Sequence, residues 1–248
     1  TEKCEKALEA LTGVRNLLVT SASHALEMMA HLLELKEGDE VILPSFTFVS
    51  TANAFLCRGA KLRFADNDDF GNIRLDEVER LLNPRTRAVV AVHYGGNSAP
   101  MHKLSEICRK AQVSLVEDAA QAIGASCEGQ PLGTFGSLGC FSFHETKNIN
   151  CGECGSLLVN DKRYATRAEI IREKGTNRRV FLKGLVDKYT WVDWGSSYVL
   201  SDLNAALLYP QLDRFESIQS RRRVLWDRYA EYLEGPLAER GARVINAP

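Results

Sequence analysis

Lys147 lies in the run GCFSFHETKN (residues 139–148), five residues after Ser142 and just ahead of the glycine-rich turn CGECG. A lone lysine is most often a solvated surface residue. One placed between an apolar strand and a turn that needs close backbone approach is better situated to lose water, give up its proton and act as a nucleophile. Asp118 ends the strand-like run SLVED, three residues before Gln121. That spacing lets an acid point out of a strand end while the amide sits on the first turn of the next helix; the plainer reading is a helix N-cap. Upstream, LLVTSASHALEM places Thr20, Ser21 and Ser23 between a strand and a helix. There, hydroxyls and free backbone N–H groups make an anion site or, more plainly, an ordinary cap by Ser21 or Ser23, with His24 an incidental helix residue. In PSFTFVSTANAF, Phe46 and Phe48 follow Pro44 and form either a flat wall for a planar ligand or two core aromatics.

Cys151 and Cys154 make a single CxxC. A structural zinc site needs about four ligands, and no second CxxC or His/Cys cluster accompanies this one. A redox dithiol belongs near a helix N-terminus rather than in a glycine-rich turn. The pair reads as incidental, and no metal is expected.

These residues need a scaffold that presents strand ends together. Short apolar runs (17–19, 41–43, 62–64, 88–92 and 114–116) alternate with segments of helical spacing, the rhythm of a mostly parallel α/β sheet. Residues 23–35 read as one helix, with Leu26, Met29 and Leu33 on one face. Beyond about residue 160 the strand rhythm fades into helical patterns over 162–174 and 201–234. In such sheets ligands sit beyond the carboxyl ends of the strands, where all four motifs fall.

Composition excludes more than it names. The 248 residues carry 31 Lys+Arg against 32 Asp+Glu, so no basic footprint points to nucleic acid or an anionic membrane. The longest apolar stretch, AVVAV, is far too short for a membrane span, and no signal-peptide pattern opens the chain. Seven scattered cysteines argue for a reducing compartment, with the cytoplasm as the expectation. The start at Thr1 and the stop at Pro248 read as truncation.

A phosphate site, an acid, an aromatic wall and a nucleophilic lysine are together the parts that hold pyridoxal 5'-phosphate. The strings GDEVILPSFTFVSTANAF, VEDAAQA, CFSFHETKN, AEIIREKGTNR and VDKYTWVDWGSSYVLSDLNAA resemble the sugar-nucleotide aminotransferases of the DegT/DnrJ/EryC1/StrS family. Among them, the likeness is greatest to enzymes that aminate dTDP-4-keto-6-deoxyglucose at carbon 4. The resemblance implies an aspartate-aminotransferase-like α/β fold, with a mostly parallel seven-stranded sheet between helices. It further implies a large domain over 1–200, and a connecting helix with the start of a small C-terminal domain over 201–248.

By position, Lys147 matches the lysine that bonds the cofactor, Asp118 the partner of its pyridine nitrogen and Gln121 a neighbour of its oxygen-bearing edge. Phe48 matches the stacking aromatic, Ser23 and Ser142 the phosphate hydroxyls, and His24 a backbone N–H donor at a position usually held by something small. His144, Glu145, Asn177, Arg178 and Tyr189 are expected near the substrate. Glutamate as amino donor, a dTDP-keto-sugar as acceptor and a homodimer with shared sites are implied as well. Two departures stand out: Val199 where many members carry an asparagine for the neighbouring subunit's phosphate, a contact Asn177 could supply instead, and Cys154 where a glycine is usual.

Overall fold

The computed structural model describes residues 1–235 and 237–241. Its centre is a seven-stranded sheet built from β1 (Arg15–Val19), β2 (Glu40–Pro44), β3 (Lys61–Ala65), β4 (Thr86–Val92), β5 (Ser114–Asp118), β8 (Leu138–Ser142) and β9 (Gly155–Val159). The order is β1-β9-β8-β5-β4-β2-β3. Only β9 runs against its neighbours; it is antiparallel to both β1 and β8, and the remaining pairs are parallel. A two-stranded hairpin, β6 (Ser126–Cys127) with β7 (Gln130–Pro131), hangs outside the sheet. The expected sheet is thus present, although the run GSLLV that forms β9 was not singled out from its sequence.

Period-2 geometry explains how continuous apolar runs bury two faces. Leu18, Val89, Leu115 and Leu158 enter one core, and their chain neighbours Leu17, Val90, Val116 and Leu157 enter the other. Helices α1 (Glu2–Thr12), α4 (Leu75–Leu81) and α5 (Met101–Ala111) cover the first core, while α2 (Ala22–Leu32), α3 (Val49–Leu56) and α6 (Ala165–Arg172) cover the second. Helix α2 stops short of the expected Leu35 because the chain turns at Glu34, which adopts φ 55.

A short helix, α7 (Arg178–Leu182), follows, and the expected helix over 201–234 is two: α8 (Asp202–Asp213) and α9 (Phe215–Glu234). They part at Arg214, where Phe215 anchors in the first core, only 5% exposed. The boundary expected at residue 200 is not a break in packing. Ala205, Leu208 and Leu212 of α8 share the first core, Cys4 Sγ donates to the Ala205 carbonyl at 3.3 Å, and the amino terminus pairs with Asp202 at 2.9 Å. The packed body therefore runs to Phe215, and α9 leaves it with no other residue buried.

Candidate active site

Parallel strands place their carboxyl ends at one edge, and the turns leaving β1, β2, β4, β5 and β8 enclose a cavity of about 520 Å³ there. Asp118, the last residue of β5, lies on its floor and is 6% exposed. Thr51 Oγ1 donates to Asp118 Oδ2 at 2.6 Å, and Thr51 in turn bonds Thr47 Oγ1 at 2.7 Å. On the other oxygen, Oδ1 accepts from Ala120 N at 3.2 Å and from Cys140 Sγ at 3.7 Å. Burial, and then the Asp118 charge, push the Cys140 thiol well up, so it stays a protonated donor. The acid is thereby held in one orientation.

Lys147 is half-buried in the same cavity and makes no ion pair or side-chain hydrogen bond among the described residues. Its loop leaves β8 at Ser142 and is pinned at its far end by two backbone bonds, Cys151 N to the Phe143 carbonyl at 3.0 Å and Phe143 N to the Cys154 carbonyl at 2.8 Å. Cys154 lines the cavity; its thiol is pushed up by a hydrogen bond with the Cys151 thiol and by burial, so it contributes an uncharged wall. This is what stands where glycine was expected.

Ser21 is the N-cap of α2, its Oγ accepting from His24 N at 3.1 Å. Ser23 Oγ donates to Ser50 Oγ at 2.7 Å, joining the first turns of α2 and α3 at the cavity wall. Aligned N–H groups and hydroxyls at these helix starts suit an anion. Phe48, 67% exposed, lines the cavity, and Phe46, 52% exposed, packs on Tyr94 with ring centroids 4.6 Å apart; neither is in the core. Gln121 spends its carbonyl oxygen on Gly95 N at 2.8 Å, and its amide NH₂ has no acceptor among the described residues.

The expected residues divide. Ser23, Phe48, Asp118, Gln121, Ser142, His144 and Lys147 share this cavity. The imidazole of His24 turns away, bonding Thr20 Oγ1 at 2.6 Å and packing on Tyr198, so it neither crowds nor supplements the cavity. Glu145 is exposed outside the lining. Asn177, Arg178 and Tyr189 are elsewhere in this chain. Asn177 closes its own loop, donating to the Lys188 carbonyl at 3.0 Å and accepting from Thr190 N at 2.8 Å; Arg178 pairs with Glu173 at 3.1 Å; Tyr189 packs near Phe181. Val199 bridges Val19 at the sheet edge, a backbone role that needs no amide.

Three participants escaped the sequence reading: Thr51, Glu117 and His93. Glu117, fully buried, accepts from His93 Nε2 at 2.9 Å and from the backbone N–H groups of Gly133, Phe135 and Gly136 at 2.8, 2.6 and 2.7 Å. An acid inside an apolar strand was the available signal for Glu117, and the position of Thr51, one turn beyond Phe48, was the signal for Thr51. Nothing local marked His93.

The donor set fits pyridoxal phosphate: an unpaired amine, an oriented buried carboxylate and an anion-binding wall around one space of suitable size. The chain is 32% identical over 221 residues to the uncharacterized protein MJ1066 of Methanocaldococcus jannaschii, covering 87% of this chain and 57% of that protein. Among solved structures, the aminotransferase TlmJ from Streptoalloteichus hindustanus matches at 33% identity with a TM-score of 0.86, over 94% of this chain and 63% of the other. DesI, solved in the presence of its TDP-sugar product, matches at 32% and 0.83, over 94% and 57%. The chain thus spans about three fifths of the length of these relatives. No helix among the described residues is long and apolar enough to cross a membrane. The family model for DegT/DnrJ/EryC1/StrS aminotransferases, enzymes that use pyridoxal phosphate, matches residues 1–241, and the chain belongs to that family.

Proposed function

We infer that the protein to which this chain belongs moves the amino group of glutamate to the C4 keto group of a dTDP-4-keto-6-deoxyhexose. The products are a dTDP-4-amino-4,6-dideoxy sugar and 2-oxoglutarate. The observation that carries the chemistry is the meeting of Lys147, Asp118 and the α2 start in one cavity. The choice of carbon 4 rests on the resemblance of the SFHETKN and KGTNR…DKYTW stretches, and amination at carbon 3 of a related sugar is the second reading.

Bound pyridoxal phosphate supplies an electron sink for the bonds at the substrate's reacting carbon. Lys147 Nζ would hold it and would be the base placed to take and return the substrate proton. Asp118, fixed by Thr51 and Cys140, keeps the pyridine nitrogen protonated. Ser23, Ser142 and the first N–H groups of α2 would hold its phosphate, and Phe48 would cover its ring. Donor and acceptor use the site in turn, so ping-pong kinetics follow.

On this reading residues 1–215 form the cofactor-binding body and α9 leads toward a smaller domain. The exposed apolar residues Leu182, Leu185, Tyr189 and Trp191 support a homodimer, and seven free cysteines support a reducing cytoplasm. The test is incubation with glutamate and either the 4-keto or a 3-keto dTDP-sugar, with product analysis. Amine from the 4-keto sugar alone supports the proposal, and amine from the 3-keto sugar alone moves it to the second reading. Lys147→Ala is expected to abolish the borohydride-reducible link to the cofactor, and a link that persists places that bond on another lysine. Asp118→Asn is expected to retain some cofactor and lose most activity.

A further inference from the structure

Cys151 and Cys154, incidental as a sequence motif, touch in the fold. They are 3% and 1% exposed, and the Cys154 thiol donates to the Cys151 sulfur. The turn between them bends through Gly152, at φ 84, and Glu153, and both of its ends bond to one residue: Cys151 N donates to the Phe143 carbonyl at 3.0 Å and Phe143 N to the Cys154 carbonyl at 2.8 Å. A disulfide needs α-carbons within about 7 Å of each other, and a four-residue turn closed in this way meets that limit. Helix α8 braces the turn from outside, with Asn204 Nδ2 donating to the Cys151 carbonyl at 2.7 Å and Gln211 bonding both backbone groups of Asn150 at 3.0 and 2.6 Å. Glu153, between the two cysteines, lines the Lys147 cavity and faces His144 Nε2 at 3.5 Å, and Cys154 lines the same cavity. A small molecule therefore approaches the pair from the cavity while the backbone stays held.

The two sulfurs are chemically unlike. Burial pushes the thiols of Cys4, Cys108 and Cys140 up, and Cys154 is pushed up by its bond to Cys151 and by burial. Of the five buried thiols only Cys151 is lowered, because Cys154 donates to it. Thiolate character is what an oxidant selects. Cys4 is the third thiol nearby, but its Sγ is spent on the Ala205 carbonyl at 3.3 Å.

We propose that Cys151 and Cys154 are a peroxide-reactive dithiol that closes to an intrachain disulfide in the wall of the Lys147 cavity. The Cys151 thiolate attacks one oxygen of hydrogen peroxide; an S–O bond forms, the O–O bond breaks, and the departing hydroxide takes a proton and leaves as water. The Cys154 sulfur then attacks the Cys151 sulfur; the S–S bond forms, the S–O bond breaks, and the hydroxyl leaves with the Cys154 proton as a second water. Two thiols give up two electrons and one peroxide accepts them. In a reducing compartment the pair rests as the dithiol, and a reducing dithiol reopens the bond after oxidation. The closed turn carries Glu153, so oxidation acts on the wall of the cavity itself. The assignment goes beyond the aminotransferase reading and does not depend on it, because thiols are counted without cofactor or substrate.

The test is titration with hydrogen peroxide of the full chain carrying C57S, which removes the exposed cysteine, followed by thiol counting, intact mass and non-reducing peptide mapping. The expected result is the loss of two thiols, a mass lower by two hydrogens, a Cys151–Cys154 link in the map and full recovery with dithiothreitol. C151S is expected to slow thiol loss by about tenfold or more. C154S is expected to stop at a Cys151 sulfenic acid that dimedone captures. Should either serine variant fail to fold, the peptide map of the C57S chain decides alone. A link from Cys151 to Cys4, oxidation of Cys127 ahead of the pair, a Cys151 sulfinic acid with no link, or thiol loss in C151S within about twofold of the C57S rate overturns the proposal. A chain that forms the link and fails to transaminate upholds this assignment and removes only the aminotransferase reading, whereas a chain that transaminates with an unreactive pair does the reverse.

Discussion

Asp118 and Trp191 sit at opposite extremes of this molecule. Asp118 is 6% exposed and held by Thr51, Ala120 and Cys140; beneath it, Glu117 is wholly buried with four donors on its carboxylate. Trp191 is 81% exposed in a segment, roughly 175–199, that has one short helix and isolated bridges in place of sheet. The two carboxylates at the strand ends are over-determined, each held by several donors, so their geometry is set before any ligand arrives. The outer segment keeps large apolar side chains in water and leaves its shape to be completed by whatever covers it. The molecule thus pairs a rigid chemical half with an outer half whose large apolar side chains lack cover among the described residues.

The sharpest way to break that contrast is Glu117→Ala. It leaves His93 and the N–H groups of Gly133, Phe135 and Gly136 without their acceptor, and should cost about 3–5 kcal/mol in denaturant unfolding. A loss under about 1 kcal/mol would show that water enters this region and that it is not rigid. Next comes a pair of glycines. A Cβ at Gly155 would lie 2.4 Å from the backbone of Ser21 and Ala22, where α2 starts against β9, so Gly155→Ala should cost about 3 kcal/mol. Gly184 in the outer segment has instead a positive φ, 70, with open space around it, and Gly184→Ala should cost only about 1 kcal/mol of backbone strain. Equal costs in the two midpoints would erase the distinction.

The smallest effect lies where the two regions touch. His31 of α2 stacks on Trp194 at 3.2 Å, and burial, with Arg58 and Arg167 nearby, lowers its pKa from 6.5 to about 4. The unfolded chain therefore binds the proton first as pH falls, so this contribution is intact above pH 6.5 and is lost progressively toward pH 4. His31→Gln should flatten that part of the unfolding midpoint's pH dependence. A slope unchanged by the substitution would assign the acid sensitivity to other groups.

Much of the chemical half was legible in the sequence because strand ends are local. A run such as SLVED or GCFSF announces both the strand and the residue that emerges from it, and in a parallel sheet those exits converge whatever the intervening chain does. Ser23, Ser142, Asp118 and Lys147 line the cavity at the strand ends where those runs place them. Phe46 and Phe48 resisted because spacing alone cannot tell a rim aromatic from a core one. His93 resisted because its partner, Glu117, lies 24 residues away. The placement of Asn177, Arg178 and Tyr189 also failed to follow from local pattern: each is taken up by neighbours within its own segment, and no periodicity marks that.

By itself, then, the sequence determined the alternation of strand and helix, the two-faced burial of the sheet and the identity of the groups at its carboxyl edge, all consequences of period-2 and period-3.6 patterning. Only the tertiary structure decided that α8 belongs to the main core, that α9 turns Arg222, Arg223 and Trp226 toward the opening beside Lys147, and that His24 faces away from the cavity. Those outcomes depend on where Phe215 finds space and which acceptor lies nearest Thr20. Such choices are settled by packing between residues far apart in the chain, which no local spacing encodes.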